Sequence, residues 1–72
     1  MQRNLYQAYV INKITSALSA GPVIADNPGN AEIMAAMNEG IESKDLHDFV
    51  IVVIHIGTLV DVAREAVEGL NE

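Results

Sequence analysis

The two histidines of this 72-residue chain are its most versatile chemical groups, and each stands alone in the sequence. His55 lies in a nearly continuous apolar run, where an imidazole could act as a pH switch, a proton acceptor or a metal ligand. No carboxylate or cysteine lies one helical turn away to orient it, so we interpret His55 as a core histidine, either bonded to a carbonyl or paired with its mate across a dimer axis. His47 lacks a second histidine four positions later, which is the spacing of zinc proteases, and we expect it to be exposed.

The acidic residues between positions 32 and 48 suggest a second chemistry, the binding of magnesium. The segment Glu39-Gly-Ile-Glu42 has the Glu-x-x-Glu spacing with which some all-helical nucleotide pyrophosphohydrolases hold the ion. However, Gly40 is expected to end a helix between the two glutamates, and no second pair follows downstream. Because magnesium is held by few carboxylates together with substrate phosphates, isolated acidic residues are weak evidence. A magnesium-dependent nucleotide hydrolase is therefore only our third hypothesis, and we predict no enzyme, no metal site and no cofactor.

A third group combines aromatic and cationic side chains near the start of the chain: Arg3, Tyr6, Tyr9 and Lys13. Tyrosine offers a large amphipathic contact area, and arginine or lysine beside it could hold an anionic ligand or a carboxylate of a partner. We select these four residues as the candidate ligand or partner site. They support the second hypothesis, a small-molecule binding protein with a pocket between subunits.

Composition limits the partners that the chain can have. Ten acidic residues against four basic ones give a net charge of −6, which disfavours binding to nucleic-acid phosphates and to anionic membranes. A basic protein surface is a more compatible partner. The first residues lack the pattern of a signal peptide, and the longest apolar run is well short of the roughly 20 residues of a membrane helix, so we expect a cytoplasmic location.

The small size of the chain, combined with its high apolar content, predicts self-association. Half of the residues are hydrophobic and the chain has no cysteine, so no disulfide or thiolate zinc site can reinforce the core. A domain of this size buries only about 60% of the surface that its unfolded chain exposes. We therefore expect a homo-oligomer formed by a single domain, residues 1–72.

Two helices are predicted before the apolar run. Apolar residues recur every three or four positions from Tyr6 onward, which predicts a helix over residues 3–20 that stops at Gly21-Pro22. Asn27 followed by Pro28 predicts an N-cap and first helical residue, and a short second helix should then end at Gly40.

The apolar run itself admits two interpretations. A three-to-four spacing continues from Phe49 to Leu70 and favours one long third helix. The alternative is an α/β arrangement with a buried strand at 49–56, because this stretch is rich in β-branched residues, and a separate last helix capped at Thr58. We favour the helix, since the only evident partner for a strand, residues 23–25, is too short.

The predicted fold is thus all-α, with long, short and long helices in an oligomeric helical bundle. The leading functional hypothesis is a small acidic non-enzymatic protein that self-associates and binds another macromolecule as a regulator, inhibitor or assembly subunit. The predicted oligomer interface consists of Phe49, Val50, Val53, Ile54, Ile56, Gly57 and Val60.

Overall fold

The computed structural model describes residues 3–70, so residues 1–2 and 71–72 of the predicted domain lie outside the described residues. It shows a mixed α/β fold in which one sheet of three antiparallel strands is accompanied by two α-helices. The elements are β1 (Asn4–Asn12), β2 (Leu18–Ala25), α1 (Pro28–Asn38), a 3₁₀ helix (Ser43–Asp48), β3 (Phe49–Thr58) and α2 (Leu59–Leu70). The prediction of an all-α helical bundle is therefore wrong.

The predicted first helix, residues 3–20, is instead a β-hairpin formed by β1 and β2. Asn12 makes its turn, because the Asn12 Oδ1 atom accepts from the backbone N–H groups of Ile14 and Thr15 at 2.9 and 3.2 Å. Ser16 takes a left-handed conformation with φ of 63°. Apolar residues occur at both odd and even positions of β1, and this hides the alternation that normally marks a strand.

The predicted stop at Gly21-Pro22 is also wrong, because both residues lie within β2. Proline is tolerated there since β2 is an edge strand of a sheet with the order β2-β1-β3.

The short middle helix is confirmed as α1. The Asn27 side chain caps it by accepting from the Asn30 N–H at 2.8 Å, and Pro28 is in its first turn. After the helix, Gly40 takes a φ of 72°, as expected for a glycine at a helix end.

The predicted long third helix is wrong over its first half, where the chain forms β3. The strand has a full-length partner, β1, in antiparallel register from Asn12↔Phe49 to Asn4↔Thr58. A register shift between Leu5 and Tyr6 leaves Ile56 as an extra residue, a β-bulge. The alternative with a strand and a separate helix describes this region, since Thr58 Oγ1 accepts from the Asp61 N–H at 3.2 Å.

The core lies between α1 and one face of the sheet. Its buried members are Tyr6, Ala8, Val10, Val23, Ala25, Ala31, Ala35 and Ala36. Five of these eight are alanines, which let the helix approach the sheet closely but bury little apolar surface each. The layer that α1 provides is therefore thin.

The molecule is elongated, with dimensions of 46 × 26 × 16 Å. Its radius of gyration is 14.2 Å, against about 11 Å for a compact domain of this length. β3 and α2 laid end to end would span about 50 Å, so α2 continues roughly along the strand. Neither helix of the described part of the chain has the length and apolar content needed to traverse a bilayer.

Candidate functional site: an open apolar sheet face

The face of the sheet opposite α1 is apolar across all three strands. We call this surface the open face. It consists of Leu5, Gln7, Tyr9 and Ile11 from β1, Leu18, Ala20, Pro22 and Ile24 from β2, and Val50, Val52 and Ile54 from β3. None of these residues carries a charge at neutral pH, and Gln7 and the Tyr9 hydroxyl are their only polar side-chain groups.

Large aliphatic side chains of the open face are exposed to a degree unusual for a sheet in a small domain. Leu18 is 64% exposed, and Val52 and Ile54 in β3 are 44% and 50% exposed. A sheet normally buries its apolar face against another layer, and a contiguous exposed apolar patch marks an interaction site. The open face is thus the candidate functional site.

The first turn of α2 approaches one end of this face. A Cβ atom placed on Gly57, which is paired with Leu5 on the open face, would lie 3.4 Å from Val62 Cγ2. From Ala63 to Gly69 the helix is exposed. α2 therefore touches one end of the open face and leaves the rest uncovered.

The junction of β3 and α2 explains this geometry. β3 ends at Thr58 and α2 begins at Leu59, with no residue between them. The Leu59 N–H donates to the Arg3 carbonyl oxygen at 2.9 Å, and Thr58 caps the helix. Connections that reverse the chain between a strand and a helix use about two to six residues. α2 has no such loop and cannot turn back over its own sheet.

α2 carries an apolar stripe that also lacks a cover within the described chain. The stripe consists of Leu59, Val60, Val62, Ala63, Ala66 and Val67, and the opposite side carries Asp61, Arg64, Glu65 and Glu68. Val60 and Val67 are 66% and 57% exposed. An amphipathic helix gains most of its stability in proteins from packing its apolar face. α2 and the open face are two unpaired surfaces of the same kind.

The residues of the predicted oligomer interface are distributed over these surfaces. Val50 and Ile54 lie on the open face, and Val60 lies on the stripe of α2. Phe49 and Val53 point to the other side and pack against the core under α1.

The remaining two residues of that predicted interface lie where β3 approaches its end. Ile56 is the bulge residue and is 55% exposed. Gly57 lies beside Val62 of α2.

The residues of the predicted ligand site do not form one cluster. Tyr6 is 3% exposed under α1, whereas Tyr9 lies on the open face, because their positions differ by an odd number along one strand. Arg3 precedes β1, and Lys13 follows its other end, where its Nζ donates to the His47 carbonyl oxygen at 2.9 Å.

Both histidines make identifiable contacts. The interpretation of His55 as a core residue of the single chain is wrong, because it is exposed, with Nε2 at 3.1 Å from Asn4 Oδ1 and its ring 5.2 Å from that of Tyr6. Its pairing across a dimer axis stays a prediction. The expectation that His47 is exposed is confirmed, and its Nε2 lies 3.3 Å from Asp48 Oδ1.

The two glutamates of the Glu-x-x-Glu segment face different partners. Glu39 accepts a hydrogen bond from the Ser19 hydroxyl of β2, and Glu42 pairs with Lys44 at 3.2 Å. Within residues 3–70, no group of three or more histidine, aspartate or glutamate side chains is placed to hold a metal ion.

A groove of about 330 Å³ lies on the opposite side of the sheet from the open face, between α1 and the 3₁₀ helix. Its lining is mainly apolar and includes Ile33, Met37, Ile41 and Leu46, with Glu32 among its polar members. Ile33 and Met37 are 59% and 71% exposed. The molecule therefore has a second, smaller apolar surface.

Comparison of the chain with protein-family models, with curated proteins and with solved structures gave no match. The candidate site is thus defined by geometry and composition.

Apart from Tyr9, which belongs to the predicted ligand or partner site, sequence reasoning missed the members of the open face on β1 and β2, such as Leu18 and Ile24. The sequence predicts a helix and a connecting loop for these residues, and neither element would share a surface with β3. The signal that could have found them is the presence of apolar residues at both parities from Leu5 to Ile11, which fits a strand covered on both faces.

Proposed function

We propose that this protein is a non-enzymatic interaction module that self-associates through the open face and binds another protein in the associated form. The observation that carries the proposal is the uncharged apolar surface spanning three strands without a covering layer within the described chain. Cytoplasmic location belongs to the same proposal.

The exposed area of the molecule supports self-association. The structure exposes 5128 Å². A compact monomer of 7.8 kDa is expected to expose about 4,400 Å². The excess, about 750 Å², is close to the roughly 800 Å² that one partner contributes to a protein interface of standard size.

The thin core supports the same conclusion. Tyr6 is the largest buried side chain, and the α1 side of the core is made of alanines. Fully burying a Val, Leu or Ile side chain contributes about 1.5–3 kcal/mol, and several such side chains of the open face are half exposed. A second copy would therefore add stabilisation that the single chain lacks.

Charge favours a basic protein as the other partner. Each copy carries a net charge of −6, and none of it is on the open face, so an associated form would present a strongly acidic outer surface. Such a surface attracts positively charged partners and speeds their encounter. The groove between α1 and the 3₁₀ helix lies on the side that remains accessible and offers an apolar contact there.

Self-association can be tested by light scattering coupled to size exclusion. We expect the wild-type protein to have the mass of a dimer or higher oligomer at micromolar concentration. Val52→Asp, midway along β3 and paired with Tyr9 on the open face, should produce a monomer. An unpaired polar group costs roughly 2–7 kcal/mol to bury, and about 3 kcal/mol corresponds to a hundredfold weaker association.

The matched control is Ile14→Asp, which changes an aliphatic residue that is 74% exposed in the hairpin turn, away from the open face. It should keep the wild-type mass. Circular dichroism of both variants separates dissociation from unfolding. A wild-type protein that is monomeric at about 100 μM, far above the dissociation constant of a specific complex, contradicts the proposal without any variant.

A further inference from the structure

We propose that the surface covering the open face is helix α2 of a second copy, so that two chains exchange their C-terminal helices reciprocally. This inference rests on the proposed self-association and specifies its geometry. In this arrangement each sheet is incomplete without the partner chain, because one of the two layers that cover the sheet comes from that chain.

The first argument is that α2 cannot serve its own sheet. Because no residue lies between Thr58 and Leu59, the helix extends beyond the end of β3. The molecule is therefore 46 Å long. The apolar stripe of α2 is nevertheless as exposed as the open face. An element held away from its complementary surface by a short connection is the usual starting point for exchange between identical chains.

The second argument is that the helix is small enough to pack on the open face and that the two surfaces have the same apolar character. α2 has 12 residues and is about 18 Å long and 10 Å wide, while the open face spans about 26 Å along three strands with a width of about 14 Å. Both surfaces are apolar, and the charged side of α2 would point away from the partner's sheet into solvent. One helix therefore fits within one open face and covers about half of it.

The third argument is that a two-fold axis satisfies both copies at once. Sheets stack about 10 Å apart, and we use the same separation for a helix packed on a sheet. A two-fold axis that is perpendicular to β3 and passes near the junction of Thr58 and Leu59 places each α2 against the open face of the other copy. The distance between helix and sheet is then about 10 Å. The interface is then self-complementary, as required for a symmetric dimer.

This symmetry predicts which residues meet. Ala66 lies about 11 Å along α2 from the junction. Ile54 lies about 13 Å back along β3 from the same point. Across the axis, Ala66 of one copy is therefore opposite Ile54 of the other. Within one copy the same two residues are separated by roughly the sum of these distances, too far for a disulfide, whose Cα atoms lie about 4.4–6.8 Å apart.

The test uses engineered cysteines, because the natural chain has none. The double variant Ile54→Cys/Ala66→Cys should form a covalent dimer under mild oxidation, seen on a non-reducing gel and lost on reduction. The matched control, Ile54→Cys/Glu68→Cys, carries the second cysteine on the opposite side of α2 and should give several-fold less covalent dimer. The single variant Ile54→Cys should remain uncrosslinked.

Each of the remaining outcomes contradicts the proposed exchange of C-terminal helices. Equal crosslinking through Ala66→Cys and Glu68→Cys means that the apolar stripe does not face the partner. Crosslinking by Ile54→Cys alone means that two sheets stack directly on one another. No crosslinking in any variant also excludes the predicted contact, and the mass of the uncrosslinked protein then decides the proposed function separately: a dimer retains self-association, whereas a monomer removes both.

Discussion

Asn27 shows how one side chain sets the start of an element. Its Oδ1 accepts from the Asn30 N–H at 2.8 Å, while its carbonyl oxygen accepts from the Ala31 N–H at 3.0 Å. We expect Asn27→Ala to lower the free energy of unfolding by about 1 kcal/mol, the usual cost of losing such a cap. Urea titration at a fixed protein concentration measures it, since the stability of a dimer depends on concentration.

Asn30→Ala is the control for this measurement. Asn30 contributes only its backbone N–H to the cap and is exposed, so the substitution keeps the hydrogen bond and adds a residue of higher helix propensity. Its stability should be equal to or above that of the wild type. Equal losses for the two variants would show that the Asn27 side chain does not cap α1.

At the scale of elements, the direct junction of β3 and α2 determines where the helix can pack. Inserting four residues such as Gly-Ser-Gly-Ser between Thr58 and Leu59 provides the loop that the natural chain lacks. The helix can then turn back and cover its own open face, so we expect a monomer that retains the wild-type helix content. Light scattering and circular dichroism measure the two properties.

The position of the insertion provides its own control. The same four residues placed in the hairpin turn, between Lys13 and Ile14, lengthen an exposed loop and leave the junction unchanged. That variant should keep the mass of the wild type. If the variant with the insertion at the junction still forms a dimer with the wild-type dissociation constant, the short connection does not drive association.

The sequence predicted those elements whose ends carry specific side chains. Asn27, Pro28 and Gly40 identified α1, and Thr58 marked the start of α2 in the alternative interpretation. β1 was missed because its apolar residues occupy both faces, and without β1 a strand at 49–58 had no partner. The open face joins residues from three strands and could not be predicted before these pairings were known, since the pairing of β1 with β3 links positions from 37 apart, Asn12↔Phe49, to 54 apart, Asn4↔Thr58.

For the whole molecule, the net charge opposes the association of two copies, whereas the apolar contact surface favours it. Two copies of charge −6 repel each other, while the surfaces that we expect to meet are uncharged. Sodium chloride screens the repulsion, with a Debye length of about 10 Å at 0.1 M and about 3 Å at 1 M. The dimer should therefore bind more tightly as salt rises, with a smaller dissociation constant in sedimentation equilibrium.

The choice of salt matters for this experiment. Sulfate strengthens apolar burial on its own, so chloride is needed to isolate screening. The monomeric variant Val52→Asp serves as the reference for changes in the single chain. A dissociation constant that grows with chloride would indicate an interface held by ion pairs, in conflict with the uncharged open face.

The order of the strands in the sheet links folding to association in time. β1 is the central strand, yet its second neighbour, β3, follows it by 36 residues, after β2, α1 and the 3₁₀ helix. During synthesis the hairpin and α1 are therefore made first, with one side of β1 still unpaired. β3 completes the open face and α2 follows it without a loop. A growing chain thus acquires the strand that completes the receiving surface and the helix proposed for exchange directly one after the other, so neither is present for long without the other.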